Sequence, residues 1–144
     1  MTHFLNLVFP SVANQHFSGF SIALWFFMAL ALLSTVRSLI HLFAKDGGAG
    51  SIAGLDLSKG DKNIIFSFAL WGQSQLIYAL LQLLVAFRYQ SLVPLFYLIL
   101  FVEIIGRMAV GRMKPPVLLR GRPPGGYANL IVLPLSVLMF VLSL

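Results

Sequence analysis

Four long apolar runs constrain this 144-residue chain more than any other feature of its sequence. They occupy residues 17–43, 64–87, 92–110 and 127–144. A helix needs about 20 apolar residues to cross the hydrocarbon core of a bilayer, and each run is close to that length. Strands of a membrane barrel would alternate polar and apolar residues, whereas these runs are continuous. The sequence therefore predicts an all-α integral membrane protein, a single domain whose four transmembrane helices form an up-down-up-down bundle.

Composition supports a membrane environment and excludes several other classes of protein. Hydrophobic residues make up 59% of the chain and charged residues only 10%, against roughly 25% charged residues in soluble domains. The net charge of +6 does not predict nucleic-acid binding, because the basic residues lie between the apolar runs. The chain has no cysteine, which excludes disulfides and thiolate metal sites.

The distribution of basic residues predicts an orientation. With four spans, loops 44–63 and 111–126 share one side of the membrane, while the termini and the short 88–91 turn share the other. Of the ten basic residues only Arg88 lies on the side of the termini. By the positive-inside rule we expect cytoplasmic loops and both termini outside. A bacterial inner membrane is the expected location, with an organelle membrane as the alternative.

Polar side chains recur at helical spacing on one face of each of the first three spans. The first face comprises Ser34, Arg37, Ser38 and His41; the second Trp71, Gln75, Tyr78 and Gln82; the third Glu103 and Arg107. Ionisable residues at membrane depth are costly and are commonly functional. Packing that turns all three faces inward would bring them together.

We accordingly predict a ligand-binding site toward the cytoplasmic leaflet, formed by Arg37, His41, Gln75, Tyr78, Glu103 and Arg107. If Glu103 bridged the two arginines, one net positive charge would remain, which suits an anionic headgroup or a polarised carbonyl. In the structural alternative, the basic side chains extend to the interface and Glu103 pairs with Arg107 alone. The glutamines and Tyr78 would then only join neighbouring helices.

The third connection carries a repeated basic pattern that ends in proline pairs. Its four cations are Arg112, Lys114, Arg120 and Arg122. Cations held just outside a membrane attract anionic lipid headgroups, at about 1 kcal/mol each. We predict contact with anionic lipid or with a partner protein, and the alternative is a determinant of topology alone.

The sequence predicts no cofactor and no metal site. Its three histidines are His3, His16 and His41, and no two of them lie on different spans at one depth, as a haem with two histidine ligands requires. Single axial ligation by His41 is the remaining possibility. Residues 48–53 fit a degenerate dinucleotide-binding pattern, but no strand precedes them, so we interpret them as a loop.

No catalytic constellation is evident, so the functional hypotheses come from the membrane segments. The first is a non-catalytic accessory or organising subunit of a larger membrane complex, which contacts other subunits or further copies of itself. Its support is the short last span, interrupted by Pro134. The second is a small membrane-embedded binding protein, or an enzyme, with an inner-leaflet site for a quinone, lipid or other amphiphile. The third is a component of a transporter or channel.

Overall fold

The computed structural model describes residues 2–58, 60–119 and 121–144, and these are predominantly helical. Two of the ten basic residues, Lys59 and Arg120, lie outside this described part. A short helix α1 (Thr2–Val8) precedes four long ones, which are α2 (Ser21–Phe43), α3 (Asp61–Arg88), α4 (Val93–Met113) and α5 (Pro124–Ser143). The described residues form no strand beyond a single isolated bridge. All four long helices have the length and hydropathy to cross a membrane, which confirms the predicted four-helix membrane fold.

The residues at the helix ends show which sequence signals start and end the helices. Gly60 occupies the N-cap position of α3 at a φ of 100°, and Asp61 is the first helical residue. There its charge interacts favourably with the helix dipole. Pro124 begins α5, where its missing N–H costs nothing. Helix α4 extends to Met113, so Arg112 lies in its last turn.

Helices α2 and α3 form the most extensive helix pair, and small residues allow their close approach. A Cβ atom added to Gly72 would lie 2.8 Å from the His41 Cβ and 2.9 Å from the Leu42 nitrogen. Ala31 and Ala79 are fully buried. In lipid, no hydrophobic effect drives helices together. Their association depends on van der Waals packing instead, which close backbone contact strengthens.

A short turn joins α3 to α4, but these two helices contact each other over little of their length. The turn, a 3₁₀ segment at Gln90–Leu92, makes the two helices antiparallel, but α3 packs mainly on α2 and α4 mainly on α5. Tyr78 and Phe96 stack between α3 and α4 with ring centroids 6.0 Å apart. Two aromatic rings at this contact hold the backbones of α3 and α4 farther apart than glycine and alanine hold those of α2 and α3.

The end of the bundle that carries the chain termini, here called the terminal face, contains much of the apolar core. Phe27 of α2 packs edge-on against Tyr97 of α4, and the Tyr97 hydroxyl donates to the Ala23 carbonyl at 2.6 Å. The segment before α2 crosses this face, where the Asn14 backbone N–H donates to the Ser91 hydroxyl at 3.0 Å. These contacts connect the N-terminal segment, α2 and α4.

The opposite end, here called the loop face, carries both long connections. The Asp56 N–H donates to the Val117 carbonyl at 3.2 Å, and the Leu119 N–H donates to the Gly54 carbonyl at 2.8 Å. The two loops thus meet in a short antiparallel contact. This contact joins the α2–α3 pair to the α4–α5 pair across the loop face.

The close packing at Gly72 generates a stability prediction with a matched control. Gly72→Ala places a methyl group against the backbone of α2, so we expect a loss of about 1–3 kcal/mol in the free energy of unfolding. Gly106→Ala, also within a long helix but with nothing within 4 Å of the added Cβ, should be neutral or stabilise by up to about 1 kcal/mol. Denaturation in mixed micelles measures both; equal effects would contradict the packing argument.

Candidate functional site

The predicted polar faces of α2 and α3 meet at Arg37. Its Nη2 donates to the Gln75 Oε1 at 2.9 Å, and its guanidinium carbon lies 5.7 Å from the centre of the Trp71 ring. The guanidinium is therefore held against α3 by a hydrogen bond and a cation–π contact. Its Nε is buried and has no hydrogen-bond partner. Arg37 thus belongs to the helix interface and does not extend freely to water.

Farther toward the terminal face, α3 presents two more polar side chains. Gln82 is only 2% exposed, and Tyr78 stacks on Phe96 of α4 with the ring planes 9° apart. The Tyr78 hydroxyl and the Gln82 Oε1 are buried, and neither has a hydrogen-bond partner of acceptable geometry. Tyr78 and Gln82 lie close enough to interact with each other, although their contact lacks the geometry of a hydrogen bond.

Helix α4 adds an acidic group, Glu103, and a second basic group, Arg107, to these polar side chains. The Arg107 Nε lies 3.8 Å from the Glu103 Oε1, and the two side chains are 28% and 24% exposed. This distance permits an ion pair but not a hydrogen bond, and the Arg107 Nε has no other partner. The charges of Glu103 and Arg107 act on both Arg37 and Tyr78. We call these side chains the polar cluster: Arg37, Trp71, Gln75, Tyr78, Gln82, Glu103 and Arg107.

One predicted geometry differs from the observed one. Glu103 was expected to bridge Arg37 and Arg107, but among the described residues Arg107, in its own helix, is the one cation within ion-pair distance. The direct partner of Arg37 is the neutral Gln75. The reason is the packing of α3 on α2, which brings Gln75 to Arg37, while α4 contacts both of these helices much less extensively.

His41 has a separate environment from the other predicted site residues. It is 5% exposed, its Nδ1 lies 2.7 Å from the Gly47 carbonyl oxygen, and its ring packs on Trp71 and Phe68. Since a carbonyl only accepts, Nδ1 carries the proton and Nε2 is the nitrogen left for other contacts. His41 anchors the loop after α2. That the chain binds no cofactor, with single axial ligation by His41 as the alternative, stays a prediction.

That loop takes its form from Asp46. The Asp46 carboxylate accepts hydrogen bonds from the backbone N–H groups of Gly48, Gly50 and Ser51, at 2.6–3.1 Å. These bonds, chiefly that from Ser51, lower the pKa of Asp46 to about 2. Gly47 and Gly48 have φ values of 60° and 71°, a region that favours glycine. The glycine-rich pattern therefore forms a turn that follows a helix, which agrees with its interpretation as a loop.

The predicted basic segment lies on the loop face, apart from the polar cluster. Arg112 and Lys114 are exposed, and the Arg122 guanidinium lies 5.9 Å from the Tyr127 ring centre. Arg122 also lines a cleft of about 310 Å³ between this segment and residues 50–54. Contact of this segment with lipid or a partner stays a prediction.

The sequence did not identify Phe96 as part of the site. Its position seven residues before Glu103 places it on the same face of α4, and this spacing was an available signal. In the part of the chain that the structure describes, no three His, Asp or Glu side chains are grouped as metal ligands. Comparison with protein-family models, curated proteins and solved structures finds no match for this chain. The functional interpretation therefore depends on the geometry of the polar cluster.

The pKa of Asp46 predicts a pH-dependent loop. Because its folded-state pKa of about 2 lies below the usual 3.8, the stability it adds is complete above pH 3.8 and is lost as the pH falls toward 2. Asp46→Asn should remove this pH dependence, and Asp46→Ala should destabilise the loop by about 1 kcal/mol, as the loss of a capping carboxylate does. Hydrogen–deuterium exchange of residues 46–54, corrected for intrinsic rates, measures both effects.

Asp61→Asn is the matched control for this measurement, because within the described part of the chain the Asp61 carboxylate accepts only from the adjacent Lys62 N–H. It should leave exchange in residues 46–54 unchanged. If Asp46→Asn retained the wild-type loss of protection between pH 4 and pH 2, the assignment to Asp46 would be wrong.

Proposed function

We propose that this protein is a small membrane-embedded binding protein whose site, between α2, α3 and α4, accepts the polar head of an amphiphile. One observation carries the proposal. Four buried polar atoms from these three helices have no hydrogen-bond partner among the residues that the structure describes, and they are the Arg37 Nε, the Tyr78 hydroxyl, the Gln82 Oε1 and the Arg107 Nε. Each such atom costs several kcal/mol in hydrocarbon unless a partner satisfies it.

A purely structural role accounts for these groups less well. Polar side chains that join membrane helices do so by bonding to one another. Among the described residues, two side-chain hydrogen bonds link different long helices, from Arg37 to Gln75 and from Tyr97 to Ala23. The unpartnered atoms of Tyr78, Gln82 and Arg107 take no part in either. A bound headgroup with several polar atoms would satisfy them.

The surroundings of the cluster favour an amphiphile over a water-soluble ligand. Helices α3 and α4 contact each other over little of their length, and Glu103 and Arg107 remain partly exposed at this boundary. On the same face of α4, one turn before Glu103, the apolar side chain of Ile99 is exposed. A ligand that entered from the bilayer would place its head on the polar atoms and its chain along this apolar surface.

For the membrane itself, we propose a bacterial inner membrane with the loop face in the cytoplasm. The support is the count of nine basic residues on the side of the loops against one on the side of the termini. Arg112, Lys114 and Arg122 would then contact anionic headgroups of the inner leaflet.

The absence of cysteine makes this orientation directly testable. Ser11→Cys and Ser58→Cys place single thiols at exposed positions on the terminal and loop faces. In intact spheroplasts, a membrane-impermeant maleimide should label only the cysteine at position 11, and permeabilisation should expose the one at position 58. The reverse pattern would show that the proposed orientation is wrong.

Retention of a native amphiphile tests the binding site. Native mass spectrometry after mild extraction should find the chain with a bound amphiphile, and Gln82→Leu should weaken retention about tenfold by removing one hydrogen bond of about 1.4 kcal/mol. Gln73→Leu is the control, because Gln73 is an exposed glutamine of the same helix. It should retain the ligand.

Two results would contradict the proposal. One is a folded protein that carries no amphiphile in wild-type form. The other is a fixed-stoichiometry complex with another membrane protein, unaffected by Gln82→Leu, which would instead support an organising subunit.

A further inference from the structure

The charges within the polar cluster do not balance. It contains two cations, Arg37 and Arg107, and one anion, Glu103. Glu103 pairs with Arg107, at 3.8 Å. Arg37 is bound to the neutral Gln75 and lies over Trp71, and no carboxylate of the described residues lies within ion-pair distance of it. One net positive charge therefore remains at a depth where a lone charge is costly.

The unpartnered atoms of the cluster are mostly donors. The Arg37 Nε and the Arg107 Nε can only donate, and the Tyr78 hydroxyl can donate or accept. The Gln82 side chain offers an oxygen or, if its amide is turned over, an NH₂ group. A complementary headgroup would hence present several acceptor oxygens close together.

We infer that the occupant is a lipid whose head is an oxyanion with a single negative charge, either a carboxylate or a phosphate diester. This inference depends on the proposed function, since it names the chemistry of the same site. One negative charge neutralises the cluster, and two or more oxygens match its donors. Arginine is the side chain best suited to such oxyanions, because its planar guanidinium presents donors in a fixed geometry. A neutral head, such as a quinone, would leave the charge of Arg37 uncompensated.

Trp71 supplies the means of testing this inference. It is one of two tryptophans, and it lies beside Arg37, so Trp25→Phe leaves a single reporter at the cluster. Brominated lipids quench tryptophan on contact. In nanodiscs of neutral lipid, dibromostearate at alkaline pH can be compared with the uncharged dibromostearyl alcohol. Brominated phosphatidylglycerol can be compared with brominated phosphatidylcholine. The two pairs distinguish a carboxylate from a phosphate diester.

We expect at least one anionic lipid to quench Trp71 at about tenfold lower concentration than its partner without net charge. Arg37→Gln should abolish this difference. Arg88→Gln is the matched control, because Arg88 is an exposed arginine at the end of α3 on the terminal face, and it should preserve the difference. Inorganic phosphate and acetate should not displace the lipid; displacement by either would point to a water-borne anion instead.

The outcomes separate the inference from the function on which it depends. If anionic and uncharged lipids quenched equally, and Gln82→Leu weakened both, the binding site would stand and the anionic head would be wrong. If quenching by every lipid were unaffected by both Gln82→Leu and Arg37→Gln, contact would be nonspecific and the proposed function itself would fail.

Discussion

A hydrocarbon layer offers no hydrogen bonds, and most of this structure follows from that constraint. Backbone groups within the layer must pair internally, so each apolar run becomes a helix. The irregular backbone is confined to the two ends of the bundle, where other groups satisfy it. At the loop face, the Asp46 carboxylate and the pairing of residues 54–56 with 117–119 do so. At the terminal face, Asn14 and Ser91 bond to each other.

The same constraint makes the polar cluster conspicuous. The Tyr97 hydroxyl, also buried, has a carbonyl partner at 2.6 Å. Arg37 is partly satisfied by Gln75, yet its Nε and the polar atoms of Tyr78 and Gln82 are not. Tyr78, Gln82 and Arg107 belong to α3 and α4, which contact each other much less than α3 contacts α2, and Tyr78 stacks on Phe96 of α4. Incomplete helix packing and incomplete hydrogen bonding thus coincide in one region, as a ligand site between helices requires.

His41 links this region to the loop face. Its ring packs on Trp71, which also lies under the Arg37 guanidinium, and its Nδ1 donates to Gly47. Gly47 follows Asp46, whose carboxylate organises the turn. A continuous set of contacts therefore runs from the basic loops to Arg37.

Much of the architecture could be predicted from the order of residues alone. The four helices follow from run length and hydropathy, and helical spacing showed that Arg37, Gln75 and Glu103 belong to polar faces. Spacing along a helix gives no information about distances between helices, and this limited the prediction of the site.

The expected Glu103 bridge failed for this reason. Only the tertiary structure shows that Gly72 brings α3 against α2, that Phe96 stacks on Tyr78, and that Gln75 is the partner of Arg37. Sequence by itself determined that polar groups would face the interior of a membrane bundle. Side-chain size at the helix contacts decided which of these groups would find a hydrogen-bond partner. A glycine lets a neighbouring helix backbone approach closely, whereas an aromatic ring keeps the two backbones apart.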